Sequence, residues 1–223
     1  MRIGLLGGTF NPIHRAHVQM ARIARDEAAL DLVLLMVAAD PPHKRVDGEV
    51  PAAERCRLAR LAVLGEEHIE ASDLEILRGG KSYTLLTLQE LRARYPDSAV
   101  FVIVGSDMLA DLPNWHRPEE VLALADVLCV PRVGVEQDDA ETADMLTARY
   151  GARVRLLSAR ADAISSTADS RLRPGRAAAV AAARVQERRL DHHAAVLQVG
   201  GHACGARGGH REAAHGQSPL LAR

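Results

Sequence analysis

The chain has 223 residues, 48% of them hydrophobic and 3% aromatic, with a formal net charge of −1 and an isoelectric point near 6.8. That length fills one good core, or one large and one small domain, and the near-neutral balance excludes the basic footprint of a protein that binds nucleic acid or an anionic membrane. The longest apolar run, residues 32–39, falls far short of the roughly 20 residues that span a bilayer, and no charged-then-apolar leader opens the chain; with only Cys56, Cys129 and Cys204, widely spaced, there is neither a disulfide framework nor a cysteine zinc site. A soluble, cytoplasmic protein with inert thiols is expected.

Arg2 to Leu6 predicts a short buried strand that two glycines end, and from Ala16 the residues Val18, Ala21, Ile23, Ala24 and Ala28 recur at helical spacing. The intervening Gly7-Gly8-Thr9-Phe10-Asn11-Pro12-Ile13-His14-Arg15-Ala16-His17 is a strand-to-helix turn. Its glycines admit a bulky anion close to the backbone, and free N–H groups at the helix start supply partial positive charge. His14 and His17, three apart, share one face of the first turn if the helix has begun there. A glycine turn bearing two solvent-exposed histidines fits the same residues equally well.

Leu32 to Ala38 is a continuous apolar run suited to a strand covered on both faces, followed by Asp40-Pro41-Pro42-His43-Lys44-Arg45, a stiff loop carrying an acid and two cations. Pro51 opens a helix through about Leu64 with Leu58, Leu61 and Ala62 on its apolar side. His68 to Leu77 alternates like a strand, and a helix follows from Thr84 to Arg94. Ser82 or Thr84 can cap that helix, or its free amides can hold a small carboxylate.

Ala99 to Val104 is the clearest strand and runs into Gly105-Ser106-Asp107, where the acid either bonds a nucleotide or caps the next helix. Trp115, the one tryptophan, lies in a polar loop and either packs over a core edge or stacks on an aromatic ligand. Helices over 118–125 and 138–150 and strands over 126–130 and 153–157 complete the alternation, and Ile164-Ser165-Ser166-Thr167 reads as a helix cap or a second phosphate cradle. This βαβα rhythm predicts an α/β fold: a Rossmann-like, doubly wound parallel sheet with helices on both faces. Its ligand crevice lies beyond the carboxyl ends of the strands, and each loop singled out follows a strand.

In order and spacing, GGTFNPIHRAH, DPPHKR, KSYT, GSD followed by NWH, and ISST resemble bacterial nicotinate-nucleotide adenylyltransferases, nucleotidyltransferases marked by a HxGH signature. The resemblance runs from Met1 to Thr167, about three-quarters of the chain, and implies a nucleotidyltransferase domain over residues 1–167. It implies transfer of AMP from ATP to nicotinate mononucleotide, giving deamido-NAD and pyrophosphate in NAD biosynthesis. It further implies catalysis by His14 and His17 on the ATP phosphates, ATP contacts from Gly7, Gly8, Thr9, Phe10, Lys44, Gly105, Asp107, Ser165, Ser166 and Thr167, and acceptor contacts from Asp40, Tyr83, Thr84 and Trp115. The nicotinate carboxylate would lie at Tyr83 and Thr84 and the pyridine ring on Trp115. Mg²⁺ would arrive with ATP, held by phosphate oxygens and water, with no protein ligand. Nothing in these residues specifies an oligomeric state.

Three departures qualify the match. Ala16 replaces the signature glycine, and Asp40 stands where asparagine is usual. The family continues ISST-x-I-R, but Asp169 and Ser170 occupy the Ile and Arg positions here. Residues 168–223 contain no Ile, Phe, Tyr, Trp or Lys and five of the ten histidines. That composition reads as a poorly ordered segment, from a shifted reading frame or a divergent replacement, without the rigid spacing of a metal site. Two alternatives follow: nicotinamide mononucleotide as acceptor, or a catalytically impaired nucleotide-binding relative.

Overall fold

The protein is described here by a computed structural model covering residues 1–41, 50–132 and 138–161. The chain divides into two units, Met1–Ala179 and Val180–Arg223, and every described residue lies in the first. Among the described residues, no helix is long and apolar enough to cross a membrane.

Six strands form one wholly parallel sheet: β1 (Arg2–Gly8), β2 (Leu32–Val37), β3 (Ile69–Ser72), β4 (Ala99–Gly105), β5 (Asp126–Val130) and β6 (Val154–Leu156), in the order β3-β2-β1-β4-β5-β6. Seven α-helices alternate with them: α1 (Arg15–Glu27), α2 (Ala52–Ala62), α3 (Leu74–Arg78), α4 (Thr84–Arg94), α5 (Ser106–Asp111), α6 (Pro118–Leu124) and α7 (Asp139–Tyr150) among the described residues. A 3₁₀ turn, Leu112–Asn114, follows α5. The central strands are apolar on both faces because both faces are covered. Leu6, Val33, Leu35, Phe101, Ile103 and Leu128 point to one side, where they meet Val18, Met20, Ala21 and Ala24 of α1 and Cys56 and Ala59 of α2. Ile3, Leu5, Leu34, Val100, Val102 and Val127 point to the other, against Leu88, Leu109, Val121 and Leu146 of α4 to α7. This is the doubly wound α/β sheet that the alternation predicts.

Two expectations need correction. The alternating stretch 68–77 is not one strand: β3 ends at Ser72, and Leu74–Arg78 forms a short helix. Leu74 and Ile76 look like a period of two, yet they pack into opposite core clusters from a single helical turn. On α2 the buried stripe is Arg55, Cys56 and Ala59, while Leu58 and Leu61 are half-buried and Ala62 is exposed. An arginine can occupy that stripe because backbone carbonyls satisfy its guanidinium. Its Nε donates to the Val50 carbonyl at 2.9 Å and its Nη1 to the Thr9 carbonyl. Burial also makes thiols poor nucleophiles, and it pushes Cys129 up to about 12.

The sheet reverses direction between β1 and β4. Those strands pair from Arg2↔Ala99 to Leu5↔Val102 and no further. Beyond that point β1 continues along β2 to Gly8↔Val37, and β4 continues along β5 to Gly105↔Val130. The two central strands therefore part at their carboxyl ends, which opens the crevice at the topological switch point. Below the opening they press together. A Cβ on Gly4 would lie 2.7 Å from Leu30 Cδ1 and 2.8 Å from Ile103 Cδ1. Gly4→Ala is expected to cost about 1–3 kcal/mol by overpacking. Combined with Ile103→Val, which removes one of the clashing methyls, its cost is expected to fall below the sum of the single changes in urea denaturation; strict additivity would show that the site relaxes freely.

Candidate active site

The crevice is built from the turns after four strands. After β1, Gly7 faces open space: an added Cβ would meet nothing within 4 Å. An added Cβ on Gly8 would instead lie 3.0 Å from the Phe10 ring. Phe10 has φ of 47°, a left-handed conformation that a bulky residue adopts only where its surroundings hold it. Its buried ring packs edge-on to His17, with centroids 5.0 Å apart. The Thr9 carbonyl is held from behind by buried Arg55.

Helix α1 starts one residue before the Ala16 that the spacing marks. His14 is its N-cap in extended conformation, and His17 occupies the third helical position. Their rings stack with centroids 3.7 Å apart and planes at 25°, so the histidines share one face as expected and are not solvent-exposed on a bare turn. Ala16 is buried between them in sequence, so its methyl joins the core side of the helix. The His14 N–H donates to His17 Nδ1 at 3.3 Å. A neutral His17 therefore carries its proton on Nε2 and can donate from that atom. Burial holds the His17 pKa far below its ordinary value, at about 3, with His14 and Arg132 adding to the effect. At neutral pH it is an uncharged donor.

After β2, the turn is tied to the start of α4. Ser82 Oγ accepts from the N–H of Ala39 at 2.8 Å and of Asp40 at 3.3 Å, the Ser82 N–H donates to the Asp40 carbonyl at 3.0 Å, and Lys81 Nζ lies 2.7 Å from Asp40 Oδ2. Lys81 thus neutralises the charge that aspartate introduces at position 40. Ser82 does not cap α4: the N-cap is Tyr83, with no side-chain capping bond, and Thr84 is the first helical residue. The Tyr83 ring stacks on His116, with centroids 4.2 Å apart. Trp115 is half-buried and packs against the core cluster beneath α4 to α7, as a core-edge tryptophan does.

After β4, Gly105 is the N-cap of α5, and Asp107 lies in its first turn without capping it. The Asp107 carboxylate faces Arg132 instead, with Oδ2 3.5 Å from Nη1. Arg132 enters from the end of β5. The structure thus brings Gly7, Gly8, Phe10, His14 and His17 together on one wall, Gly105 and Asp107 on the next strand, and Asp40, Tyr83 and Thr84 on the segment joined by Ser82. Lys44, Ser165, Ser166 and Thr167 lie outside the described residues, as does the whole segment 168–223.

Two residues in this arrangement escape a linear reading. Arg55 looks like one charge among several on a helix, and only its burial reveals it as the support of Thr9. Arg132 looks like a turn residue after a strand, and only the β4–β5 pairing brings it beside Gly105.

A cytidylyltransferase-like family model matches residues 5–168. A relative from Gloeobacter violaceus named probable nicotinate-nucleotide adenylyltransferase is 40% identical over 177 residues, covering 79% of this chain and 86% of its own length. One from Citrifermentans bemidjiense with the same name is 48% identical over 134 residues, covering 60% of this chain; the match thus spans 62% of that relative, under two-thirds of its length. In fold, the chain is similar to a Plasmodium falciparum nicotinic acid mononucleotide adenylyltransferase solved in complex with NaAD, with a TM-score of 0.57 at 15% identity over 70% of this chain and 74% of the other.

The His17 environment has a measurable consequence. The unfolded chain binds a proton at this residue below about pH 6.5, whereas the folded chain does so only near pH 3, so stability present above pH 6.5 is lost as the pH falls. Glu27, Glu54 and Glu66, held below their ordinary value of 4.5 by hydrogen bonds, act in the same direction only at lower pH. Urea denaturation between pH 6.5 and 5.5, above the range of those carboxyls, is expected to show a loss on the order of 1 kcal/mol per pH unit that is largely absent in His17→Gln; an unchanged slope in the variant would contradict this. On its sequence match and its fold, the chain belongs to the cytidylyltransferase-like family and, within it, to the nicotinate-nucleotide adenylyltransferases.

Proposed function

We propose that the protein transfers AMP from Mg²⁺-bound ATP to nicotinate mononucleotide, releasing pyrophosphate and forming deamido-NAD. The observation that carries this reading is the stacked His14–His17 pair on the first turn of α1, beside the open backbone of Gly7, in a chain whose sequence relatives bear that enzyme's name. A phosphate oxygen of the mononucleotide forms a bond to the α-phosphorus of ATP. The bond from that phosphorus to the bridging oxygen breaks, and its electron pair leaves with pyrophosphate. No protein nucleophile is required, so catalysis consists of positioning and charge stabilisation.

His17, protonated on Nε2, donates to a phosphate oxygen without adding a full charge, and His14 donates beside it. Gly7 and Gly8 let the nucleotide approach the backbone, while Thr9, Phe10, Gly105 and Asp107 flank it, and Lys44, Ser165, Ser166 and Thr167 are assigned to its phosphates by their motifs. The metal is part of the ATP substrate, carried by phosphate oxygens and water. On the acceptor side, the start of α4, which no side chain caps, offers first-turn N–H groups from Thr84 onward to a carboxylate, the Tyr83 N–H being taken by the Lys81 carbonyl at 3.1 Å. A carboxamide would bring its own donor against them, which favours the acid over the amide. Trp115 is assigned to the pyridine ring, and Asp40 lines the acceptor side.

The test is pyrophosphate release by the full chain with Mg-ATP and nicotinate mononucleotide, with nicotinamide mononucleotide run in parallel. Release favouring the acid is expected, and His17→Ala is expected to lower kcat by about 10²–10³-fold, the usual consequence of removing one transition-state donor. Release favouring the amide would reassign the acceptor. ATP binding with no release from either would identify a nucleotide-binding protein that has lost the reaction.

A further inference from the structure

Arg132 follows β5 by two residues, and β5 pairs with β4 as far as Gly105↔Val130. Its guanidinium therefore lies beside the end of β4. A Cβ on Gly105 would sit 3.4 Å from Arg132 Nε and 3.7 Å from its Cζ, so the absence of a side chain there gives the guanidinium its place against the backbone. The side chain is 30% exposed. Its contact with Asp107 is long, at 3.5 Å, and runs to one oxygen of a carboxylate that is itself 57% exposed. That geometry falls short of the paired, short bonds of a closed arginine–carboxylate fork.

On its other side stands the histidine wall. The positive charge of Arg132 contributes to keeping His17 unprotonated. Among the described residues, the carboxylate beside this guanidinium is that of Asp107, loosely held, and the neighbouring His17 is uncharged. A guanidinium left in that state suits phosphate oxygens, which its planar fork can bind two at a time.

We propose that Arg132 binds the β- and γ-phosphates of ATP and stabilises the pyrophosphate as it leaves, an assignment that rests on the adenylyl-transfer reading above. Arg132 supplies full positive charge where electrons accumulate on the departing oxygen, and His17 supplies a neutral donor beside His14. With His17 held uncharged, the two kinds of donor share the site without forming a second cation beside the first.

The experiment measures binding of inorganic pyrophosphate and, separately, of adenosine to the full chain by calorimetry, alongside pyrophosphate-release kinetics, for the wild type, Arg132→Met and Arg132→Lys. Arg132→Met is expected to weaken pyrophosphate binding at least tenfold, to leave adenosine binding within twofold, and to lower kcat at least fiftyfold. Arg132→Lys, which keeps the charge and loses the fork, is expected to recover part of both losses. Pyrophosphate affinity unchanged in Arg132→Met would overturn the proposal, and so would equal weakening of both ligands, which marks a structural role. If the wild type binds pyrophosphate through Arg132 but turns over neither mononucleotide, the phosphate contact stands and the adenylyl-transfer reading falls.

Discussion

The parting of β1 from β4 beyond Leu5 and Val102 is the constraint on which the rest of the structure depends. Up to that pair the two strands share hydrogen bonds and press their side chains into both cores. Past it each is held only by its outer neighbour, β2 or β5. The gap lies where the winding of the sheet changes direction, so helices that leave β1 and β4 depart to opposite faces and neither covers it. Gly7, Gly8 and Gly105 stand on its edges. Gly7 faces open space, whereas a side chain on Gly8 would meet the Phe10 ring and one on Gly105 would meet Asp107 and Arg132.

Electrostatics then sorts the groups around the gap. Burial and a neighbouring cation hold His17 neutral. Lys81 sits on Asp40, so the acid on the β2 side brings little net charge with it. Among the described residues, Arg132 meets a carboxylate at Asp107, and only at 3.5 Å. A site that handles polyanions needs positive potential, but a crowd of cations would repel one another before any ligand arrived. A neutral His17 beside Arg132 keeps two cations from crowding that end of the crevice.

Much of this was legible in the sequence. The strands read from continuous apolar runs, because a parallel strand covered on both faces leaves no room for polar residues, and the stretch from Gly7 to His17 read as a strand-to-helix turn because glycines and a helix start occur together. The residues around 68–77 misled because five helical residues are too few to display a period of 3.6. Leucines at 58 and 61 misled because the guanidinium of Arg55 took the buried stripe of α2 by bonding to carbonyls at Thr9 and Val50, partners far away in the chain. Ser82 was legible as a useful hydroxyl, but its partners proved to be the backbone after β2 and not the helix it precedes. Arg132 carries no local signal, since its place depends on which strands are neighbours, a property of the sheet and not of any segment.

The link between Asp40 and the Lys81–Ser82 pair carries a consequence for the potential of the crevice. The two segments are joined by three backbone-directed hydrogen bonds that any residue but proline at position 40 could keep, and by one ion pair that only an acid can make. Replacing Asp40 with asparagine would leave the lysine without this counter-charge, and replacing Lys81 alone would leave the carboxylate without its cation. Either change alone shifts the charge on the β2 side of the crevice by one unit, in opposite senses, so positions 40 and 81 together set how much positive potential that side carries.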